Sequence, residues 1–466
     1  MICYIIGNLH IGEYKLMIKA VKKELTKDMT TGNPVKLILL FSIPLLIGNV
    51  FQQFYSMVDT IIVGRFIGVD ALAAVGSTGS MSFLINGFVV GITSGFSVLV
   101  SQKFGAKDEE GLKKATSSAL VLSLVATIII TLVSVLLAKP LLYLMNTPEN
   151  IIDDAYIYIV IIYAGTIATV VYNIIAGILR ALGDSKTPLY FLIIASILNI
   201  ILDIVFIVNF SMGVSGAAWA TIISQGLSGI LCIIYAYKKY KILRLKREDF
   251  KVKKSVYAKH LKIGIPMALQ FSITALGIMI VQGALNVLGS TVIASYTAAS
   301  KVLQIVMQPA ITFGVTMATY CGQNLGAKNY DRIKEGVKNC IQISIITSII
   351  AGLVLVLGGK FFVGLFISNP GADILAYAQE CLNYSAAFFI PLGVIFIYRN
   401  ALQGMGESFV PMMAGAFELI ARAIVAFTLP KFIGYTGICL SDPIAWLAAA
   451  IPLGFYYYKK MKSIES

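Results

Sequence analysis

The sequence predicts an all-α integral membrane protein with twelve transmembrane helices in two six-helix lobes related by an internal repeat. Three observations support this prediction. Of the 466 residues, 58% are hydrophobic and only 13% are charged, and the mean hydropathy is +0.84, whereas soluble domains carry about 25% charge. Apolar runs long enough to cross a hydrocarbon core of about 30 Å recur along the whole chain, and a backbone in lipid must satisfy its own hydrogen bonds, which favours helices. Finally, segments of the first half recur in the second half.

The apolar runs predict twelve spans, several of them longer than a membrane requires. Such excess length is accommodated by tilt or by extension of the helices into the loops. The predicted spans are 35–66, 71–102, 112–145, 151–183, 187–210, 213–238, 258–288, 292–325, 334–367, 373–404, 408–430 and 435–458.

Basic residues concentrate in the loops on one side of this arrangement. The segment from Lys238 to Lys262 holds eleven Lys and Arg against two acids, and further clusters fall at 103–114, 328–338 and 459–462. All of these lie on the same side of a twelve-span chain, and basic loops favour the cytoplasm. The sequence therefore predicts a multi-pass protein of the cytoplasmic membrane with both termini in the cytoplasm. The same distribution explains the net charge of +14 without a nucleic-acid partner.

Three sequence pairs define the repeat. FSIPLLIGNVFQQ (41–53) matches IGIPMALQFSITA (263–275), SQKFGAKDEEGLKKA (101–115) matches GQNLGAKNYDRIKEG (322–336), and RALGDSKTP (180–188) matches QGMGESFVP (403–411), at an offset of 221 to 223. Copies with an even number of spans keep the same orientation in the membrane, as in parallel transporter repeats. The predicted domains are a basic tail (1–32) that is either poorly ordered or a surface helix, an N-lobe (33–238), a basic linker (239–257), a C-lobe (258–458) and a cytoplasmic tail (459–466).

Two acids stand inside apolar runs of the first lobe, Asp59 and Asp203. A carboxylate at the bilayer centre costs about 2.5–3.5 kcal/mol on insertion scales, so it indicates a functional site. Asn199 lies one helical turn from Asp203, and small residues next to Thr221 allow that span to approach closely. These four residues predict an oxygen-rich cation site. Na⁺ and H⁺ both remain open, because burial beside a second carboxylate also favours a protonated acid. The alternative is that both acids only pin helices together.

Several motifs together resemble the multidrug and toxic compound extrusion (MATE) family from about residue 33 to 458. They are Ile43-Pro44 followed by Asp59, GAK after the second span, LGDSKTP after the fourth, Asn199 with Asp203, GAAWAT at 216–221 and GQNLGAK at 322–328. The resemblance implies a two-lobe antiporter that exports amphipathic, often cationic compounds in exchange for Na⁺ or H⁺. It also places the family's cation site on the four residues above, and it adds Tyr158 and Asn173 of the fourth span.

The second lobe departs from this pattern, because Arg422 and Ala426 stand where the first lobe has Asn199 and Asp203. Glu418 lies four residues before Arg422, so the two either neutralise each other or contact substrate. The sequence suggests a substrate cleft lined by Gln282, Gln304, Arg399, Glu418 and Arg422. Paired prolines early in the first and seventh spans, Pro44 and Pro266, predict kinks that act as hinges.

The predicted function is therefore a monomeric, cation-coupled antiporter for small amphipathic drugs or toxins, surrounded by membrane lipid and working without a cofactor. A flippase or exporter of a lipid-linked substrate from the same superfamily is the alternative. We do not expect an enzyme, since no catalytic constellation and no GxxxxGK[ST] phosphate loop is present. The six cysteines include no CxxC and are expected to be free thiols.

Overall fold

The computed structural model describes residues 28–367 and 371–465. Within these ranges the chain forms twelve membrane spans, which confirms the predicted fold. Nine spans are continuous or nearly continuous helices, and three are pairs of shorter helices that are bent by more than 40° where they meet. In chain order they are span 1 (Pro34–Phe66), span 2 (Gly79–Gly105, preceded by Val69–Ser77), span 3 (Glu109–Leu144), span 4 (Glu149–Ala164 and Thr166–Ala181), span 5 (Lys186–Ile204), span 6 (Val214–Lys239), span 7 (Lys254–Leu285), span 8 (Ser290–Val306 and Gln308–Gly326), span 9 (Tyr330–Gly364), span 10 (Ala372–Ala387 and Phe389–Gly404), span 11 (Phe409–Thr428, then Pro430–Ile433) and span 12 (Tyr435–Cys439 and Ser441–Glu465).

The three paired spans are bent where their two helices meet. The bends measure 43° in span 4, 41° in span 8 and 53° in span 10. Spans 4 and 10 occupy the same place in the two lobes, and they bend at Gly165 and Phe388. The bends in spans 4 and 10 are therefore a property of the repeated unit.

The two ends of the described chain are more ordered than the sequence suggests. Residues 1–27 of the predicted tail lie outside the described residues, but Met29 is fully buried and its N–H donates to Gln323 Oε1 (2.8 Å) in span 8. Span 12 continues through Glu465 instead of ending at 458. Leu453, Tyr457 and Met461 recur every four residues and are buried, so this face of span 12 packs beyond the predicted end.

The repeat is visible in the backbone as well as in the sequence. Left-handed conformations recur in pairs 221 to 223 residues apart, at positions that begin or end spans. The pairs are Gly68 and Gly289, Lys107 and Lys328, Gly183 and Gly406, and Gly213 and Gly434. Gly213 (φ 61°, ψ −144°) and Gly434 (φ 59°, ψ −136°) agree in both angles. These pairs align the two lobes residue by residue.

The lobes pack closely at the ends of the spans that carry the basic loops, which we call the basic face. Span 2 crosses span 7 at Gly91 and Gly95. A Cβ at Gly95 would lie 2.5 Å from the backbone of Gly264. Helices approach this closely only through small residues.

Two glycines make a reciprocal contact at the basic face itself. A Cβ at Gly105 would lie 1.8 Å from the carbonyl oxygen of Gln323, and a Cβ at Gly326 would lie 1.8 Å from that of Gln102. Gly105 and Gly326 are the glycines of the repeated GAK motifs, so the two motifs meet as symmetry mates. Gln323 Nε2 also donates to the carbonyl of Ala181 (2.8 Å), which joins spans 8 and 4. The contacts close the basic face between the lobes.

Candidate functional site

A cavity of about 510 Å³ lies mainly within the N-lobe. It extends from Ser185, near the basic face, to Ser82, close to the opposite end of span 2. Phe271 and Thr312 are among the few C-lobe residues that contribute to its wall. One acid and one base line it, Asp59 and Arg180. Its size falls in the range of 300–1,000 Å³ that is typical of small-molecule sites.

Asp59 faces Asp203 at the wall of this cavity. Span 1 positions Asp59 and span 5 positions Asp203, and the two carboxyl groups are close enough to interact by hydrogen bonding. Asp203 is fully buried behind the wall, whereas Asp59 is half-buried and lines the cavity. In the described part of the chain, Oδ1 of each acid is buried and accepts no hydrogen bond. The predicted acids are thus brought together, one directly accessible from the cavity and the other behind it.

Asn199 lies beside Asp203 and contacts both Asp203 and Thr221. With its amide oriented to suit both neighbours, Asn199 Nδ2 donates to Asp203 Oδ2 (2.9 Å) and its oxygen accepts from the Thr221 N–H (3.2 Å). Asn199 is fully buried. The contact depends on a close approach of span 6, where Ala217, Ala218 and Ala220 are also buried. Asn199 therefore fixes one oxygen of Asp203 and leaves the other free.

Two tyrosines surround the carboxyl pair. The Tyr55 side chain, one turn before Asp59 in span 1, contacts the side chain of Thr221. Tyr158, which the resemblance adds to the predicted site, lies close to Tyr55 and to both acids. Sequence reasoning missed Tyr55, although its spacing of four residues from Asp59 was a usable signal. A single π-helical turn, Val205–Asn209, begins two residues after Asp203, and such turns are frequent at functional sites.

Asn173 and Pro44 line the same cavity but lie outside this cluster. Asn173 Nδ2 donates to the carbonyl of Thr169 in its own helix (2.8 Å), so its amide is already engaged. Pro44 lies inside the continuous helix of span 1, and its repeat mate Pro266 lies inside span 7. The hinge role of both prolines stays a prediction.

None of the five residues of the predicted C-lobe cleft lines this cavity. Gln282 Nε2 donates to Asn286 Oδ1 (3.1 Å) in its own helix, and Gln304 is exposed. Arg399, Glu418 and Arg422 are buried in an ion-pair network. The physical reason is charge pairing: with Asp442, which also pairs with Arg422, two guanidinium groups and two carboxylates neutralise each other inside the lobe and do not turn toward a cavity.

The N-lobe cluster has the chemistry of a cation site. In the described chain, neither Asp59 nor Asp203 forms an ion pair with Lys, Arg or His. Two adjacent carboxylates in a buried setting need a positive partner, and either a bound proton or a small metal cation supplies it. The carboxylates, the Thr221 hydroxyl and the tyrosine hydroxyls are oxygen ligands of the kind that hard cations prefer.

Twelve spans in two repeated lobes, with two acids that meet at the wall of a cavity in the first lobe, define a polytopic membrane transporter. The MatE family model matches residues 44–205 and 266–428, one match in each lobe. The chain therefore belongs to the MATE family, whose members are transporters and not enzymes.

Individual relatives agree with this assignment. The chain is 29% identical over 444 residues to the probable multidrug resistance protein YpnP of Bacillus subtilis, covering 94% of this chain and 98% of that protein. It resembles the crystal structure of MATE in complex with MaL6, with a TM-score of 0.89, 23% identity and coverage of 94% and 99%. It also resembles the outward-facing conformation of a multidrug resistance MATE transporter, with a TM-score of 0.87 and 23% identity over 94% and 99% of the two chains.

Proposed function

We propose that this protein is a cation-coupled antiporter that exports small amphipathic, often cationic compounds across the cytoplasmic membrane. The observation that carries the proposal is the Asp59–Asp203 pair at the wall of the cavity, which has no basic partner in the described chain. A cation or proton that binds to this pair is therefore accessible from the cavity that the substrate would occupy. YpnP, named as a probable multidrug resistance protein, supports the choice of substrate class.

Transport follows from linkage between the two ligands. If the ion stabilises one conformation and the substrate stabilises the other, each favours release of its counterpart. The closed contacts at the basic face belong to a state in which the cavity is shut on that side. We infer that the basic face is cytoplasmic, as its charge favours, that both described ends lie there, and that this state faces outward. The chain works as a monomer in this proposal.

The cavity favours a cationic or neutral substrate over a lipid-linked anion. Arg180 is the one basic residue in its wall, and it lies near the basic face where Ser185 and Pro188 also contribute. An anionic headgroup with several charges needs several such contacts. The cavity therefore supports the flippase alternative less well than it supports export of a cationic or neutral compound.

Ethidium transport in liposomes tests the proposal. Wild type, Asp203→Asn and the control Asp154→Asn, an exposed acid of span 4, are reconstituted, and dye movement is followed under an imposed Na⁺ or H⁺ gradient. We expect wild type and the control to move dye with one of the two gradients, and Asp203→Asn to lose gradient-driven movement by about 100-fold or more. If Asp203→Asn transports dye as fast as wild type, the proposed coupling site in the first lobe is wrong. If neither gradient drives dye in wild type, the multidrug assignment fails and a lipid-linked substrate is tested next.

A further inference from the structure

The C-lobe contains a counterpart of the N-lobe cation site. Three local anchors set the alignment: Pro44 with Pro266 at an offset of 222, Gly183 with Gly406 at 223, and Gly213 with Gly434 at 221. Each anchor lies in or next to a span that contributes to the N-lobe site.

In this alignment, every N-lobe cluster residue on spans 1, 5 and 6 has a different residue at the equivalent C-lobe position. Tyr55 becomes Gly277, Asp59 becomes Val281, Asn199 becomes Arg422, Asp203 becomes Ala426, and Thr221 becomes Asp442. Both acids are lost, one amide becomes a guanidinium, and one hydroxyl becomes a carboxylate.

Arg422 occupies the space of this counterpart site. A Cβ at Gly277 would lie 2.2 Å from Arg422 Nη1, so the guanidinium lies against span 7 where the N-lobe has the side chain of Tyr55. Arg422 Nε donates to Asp442 Oδ1 (2.7 Å), across the same pair of spans that Asn199 and Thr221 join in the N-lobe. A side chain at position 277 would therefore displace the guanidinium from this position.

The surrounding charges are balanced. Arg422 Nη2 donates to Glu418 Oε1 (2.8 Å), and Arg399 Nη2 donates to Glu418 Oε2 (2.9 Å). Arg399, Glu418 and Arg422 are each less than a tenth exposed, while the side chain of Asp442 is 33% exposed. Two guanidinium groups face two carboxylates, whereas the N-lobe cluster has two acids and no described basic partner.

We propose that Arg422 is a tethered cation that permanently fills the C-lobe counterpart of the coupling site and thereby confines ion exchange to the N-lobe. A guanidinium attached to the chain satisfies Asp442 and Glu418 in every conformation, so this lobe never alternates between loaded and empty. The inference rests on the proposed function for its consequence in transport, but the identity of Arg422 as a site-filling cation is testable without it.

Chemical rescue tests whether the pocket is a cation site. In Arg422→Ala, Asp442 loses its partner while Glu418 keeps Arg399. We expect about 10 mM guanidinium chloride to raise the melting temperature of this variant by about 2 °C or more over equimolar NaCl, saturably, because a ligand that binds only the folded state stabilises it. Wild type and Arg422→Lys, which keep a tethered cation, should not respond. The double variant Arg422→Met with Asp442→Asn removes one cation and one anion, so it should not respond either.

A purely structural role for Arg422 predicts a different pattern. In that case guanidinium does not stabilise Arg422→Ala more than NaCl does, or it stabilises wild type equally, and the proposal is overturned. If Arg422→Ala cannot be purified even with guanidinium present, the recovery of folded Arg422→Lys tests the proposal instead. Recovery of a folded Lys variant supports the tethered cation, and its loss contradicts it.

The transport consequence has its own readout. At a fixed ion gradient, the steady-state accumulation ratio of ethidium rises with the number of ions exchanged per substrate. We expect the ratio of Arg422→Lys to equal that of wild type, and that of Arg422→Ala to change. An unchanged ratio in a folded, guanidinium-responsive Arg422→Ala would refute the confinement of exchange. Failure of the proposed function appears elsewhere, as transport that survives Asp203→Asn in the wild-type background.

Discussion

Equivalent positions in the two lobes differ in their charges: the N-lobe has two adjacent acids, and the C-lobe has a network of ion pairs. In the N-lobe, Asp59 and Asp203 face each other next to a cavity and lack a described basic partner. In the C-lobe, Arg422 joins Glu418 and Asp442 in a balanced network. The backbone is conserved between the lobes to within a few degrees at Gly213 and Gly434. A duplicated fold thus keeps its geometry while one copy holds two acids without a described basic partner and the other is held together by ion pairs.

Removal of one acid should affect stability in opposite ways in the two lobes. Glu418→Gln leaves two guanidinium groups with one carboxylate partner fewer, and breaking a buried ion pair costs about 3–5 kcal/mol. Asp203→Asn removes a charge that lies beside another of the same sign, so we expect its stability to equal or exceed that of wild type. Thermal unfolding of both variants in the same detergent measures the difference. If Asp203→Asn unfolds as early as Glu418→Gln, Asp203 is a structural residue and the contrast between the lobes is wrong.

The reciprocal glycines at the basic face should instead behave alike in the two lobes. In Gly105→Ala and Gly326→Ala the new methyl group meets a backbone carbonyl at 1.8 Å, which cannot move aside easily. Overpacking costs about 1–3 kcal/mol, which is a shift of about 5- to 150-fold away from the closed basic face. Labelling of Ser94→Cys, a cavity residue, by a reagent supplied from the basic side measures the opening.

Gly283→Ala is the matched control for this experiment, because no heavy atom lies within 4 Å of a Cβ at that position. We expect it to leave labelling at the wild-type rate. A response to only one of Gly105→Ala and Gly326→Ala would show that the two GAK motifs do not close the face as a symmetric pair.

Tyr55 has no side-chain counterpart in the C-lobe, where Gly277 makes room for Arg422. Its contact with Thr221 orients the wall around Asp59, and loss of such an outer contact typically costs 10- to 100-fold in ion affinity. We expect Tyr55→Phe to raise the ion concentration for half-maximal transport by about 10-fold while the maximal rate changes less. Tyr143→Phe, at an exposed tyrosine of span 3, serves as control. An unchanged half-maximal concentration would restrict the ion site to the acids and Asn199.

The spans, the repeat and the two intramembrane acids could be predicted from the sequence, because each produces a local signal. Intramembrane acids such as Asp59 and Asp203 are rare enough to identify a site on their own. Tyr55 was missed because 23 tyrosines are distributed along the chain, so its spacing of four residues from Asp59 did not by itself separate a wall residue from a packing residue. The sequence did not reveal that Arg399, Glu418 and Arg422 pair with one another and do not line the described cavity. The direction in which a side chain points depends on helix rotation and on the pairing of charges across spans, which one sequence does not encode locally.

The smallest expected difference between the lobes lies at the start of spans 3 and 9. Asp108 Oδ1 accepts from the Gly111 N–H (2.8 Å) and caps span 3, and Lys103 and this N–H hold the pKa of Asp108 below its usual value. Its repeat mate Asn329 makes no such side-chain cap. Loss of an N-cap costs about 1 kcal/mol, so Asp108→Ala should lower the melting temperature by about 1–2 °C, and Asn329→Ala by less.

The pH dependence of this cap separates it from a simple packing effect. A lowered pKa in the folded state means that the charged form of Asp108 contributes stability above the pKa of the unfolded chain, and that this contribution is lost as the pH falls through the folded value. The difference in melting temperature between wild type and Asp108→Ala should therefore be full at pH 7 and shrink under acid conditions, whereas that of Asn329→Ala should stay constant because an amide does not titrate. A difference for Asp108→Ala that is independent of pH would show that the side chain stabilises span 3 through contacts other than its charge.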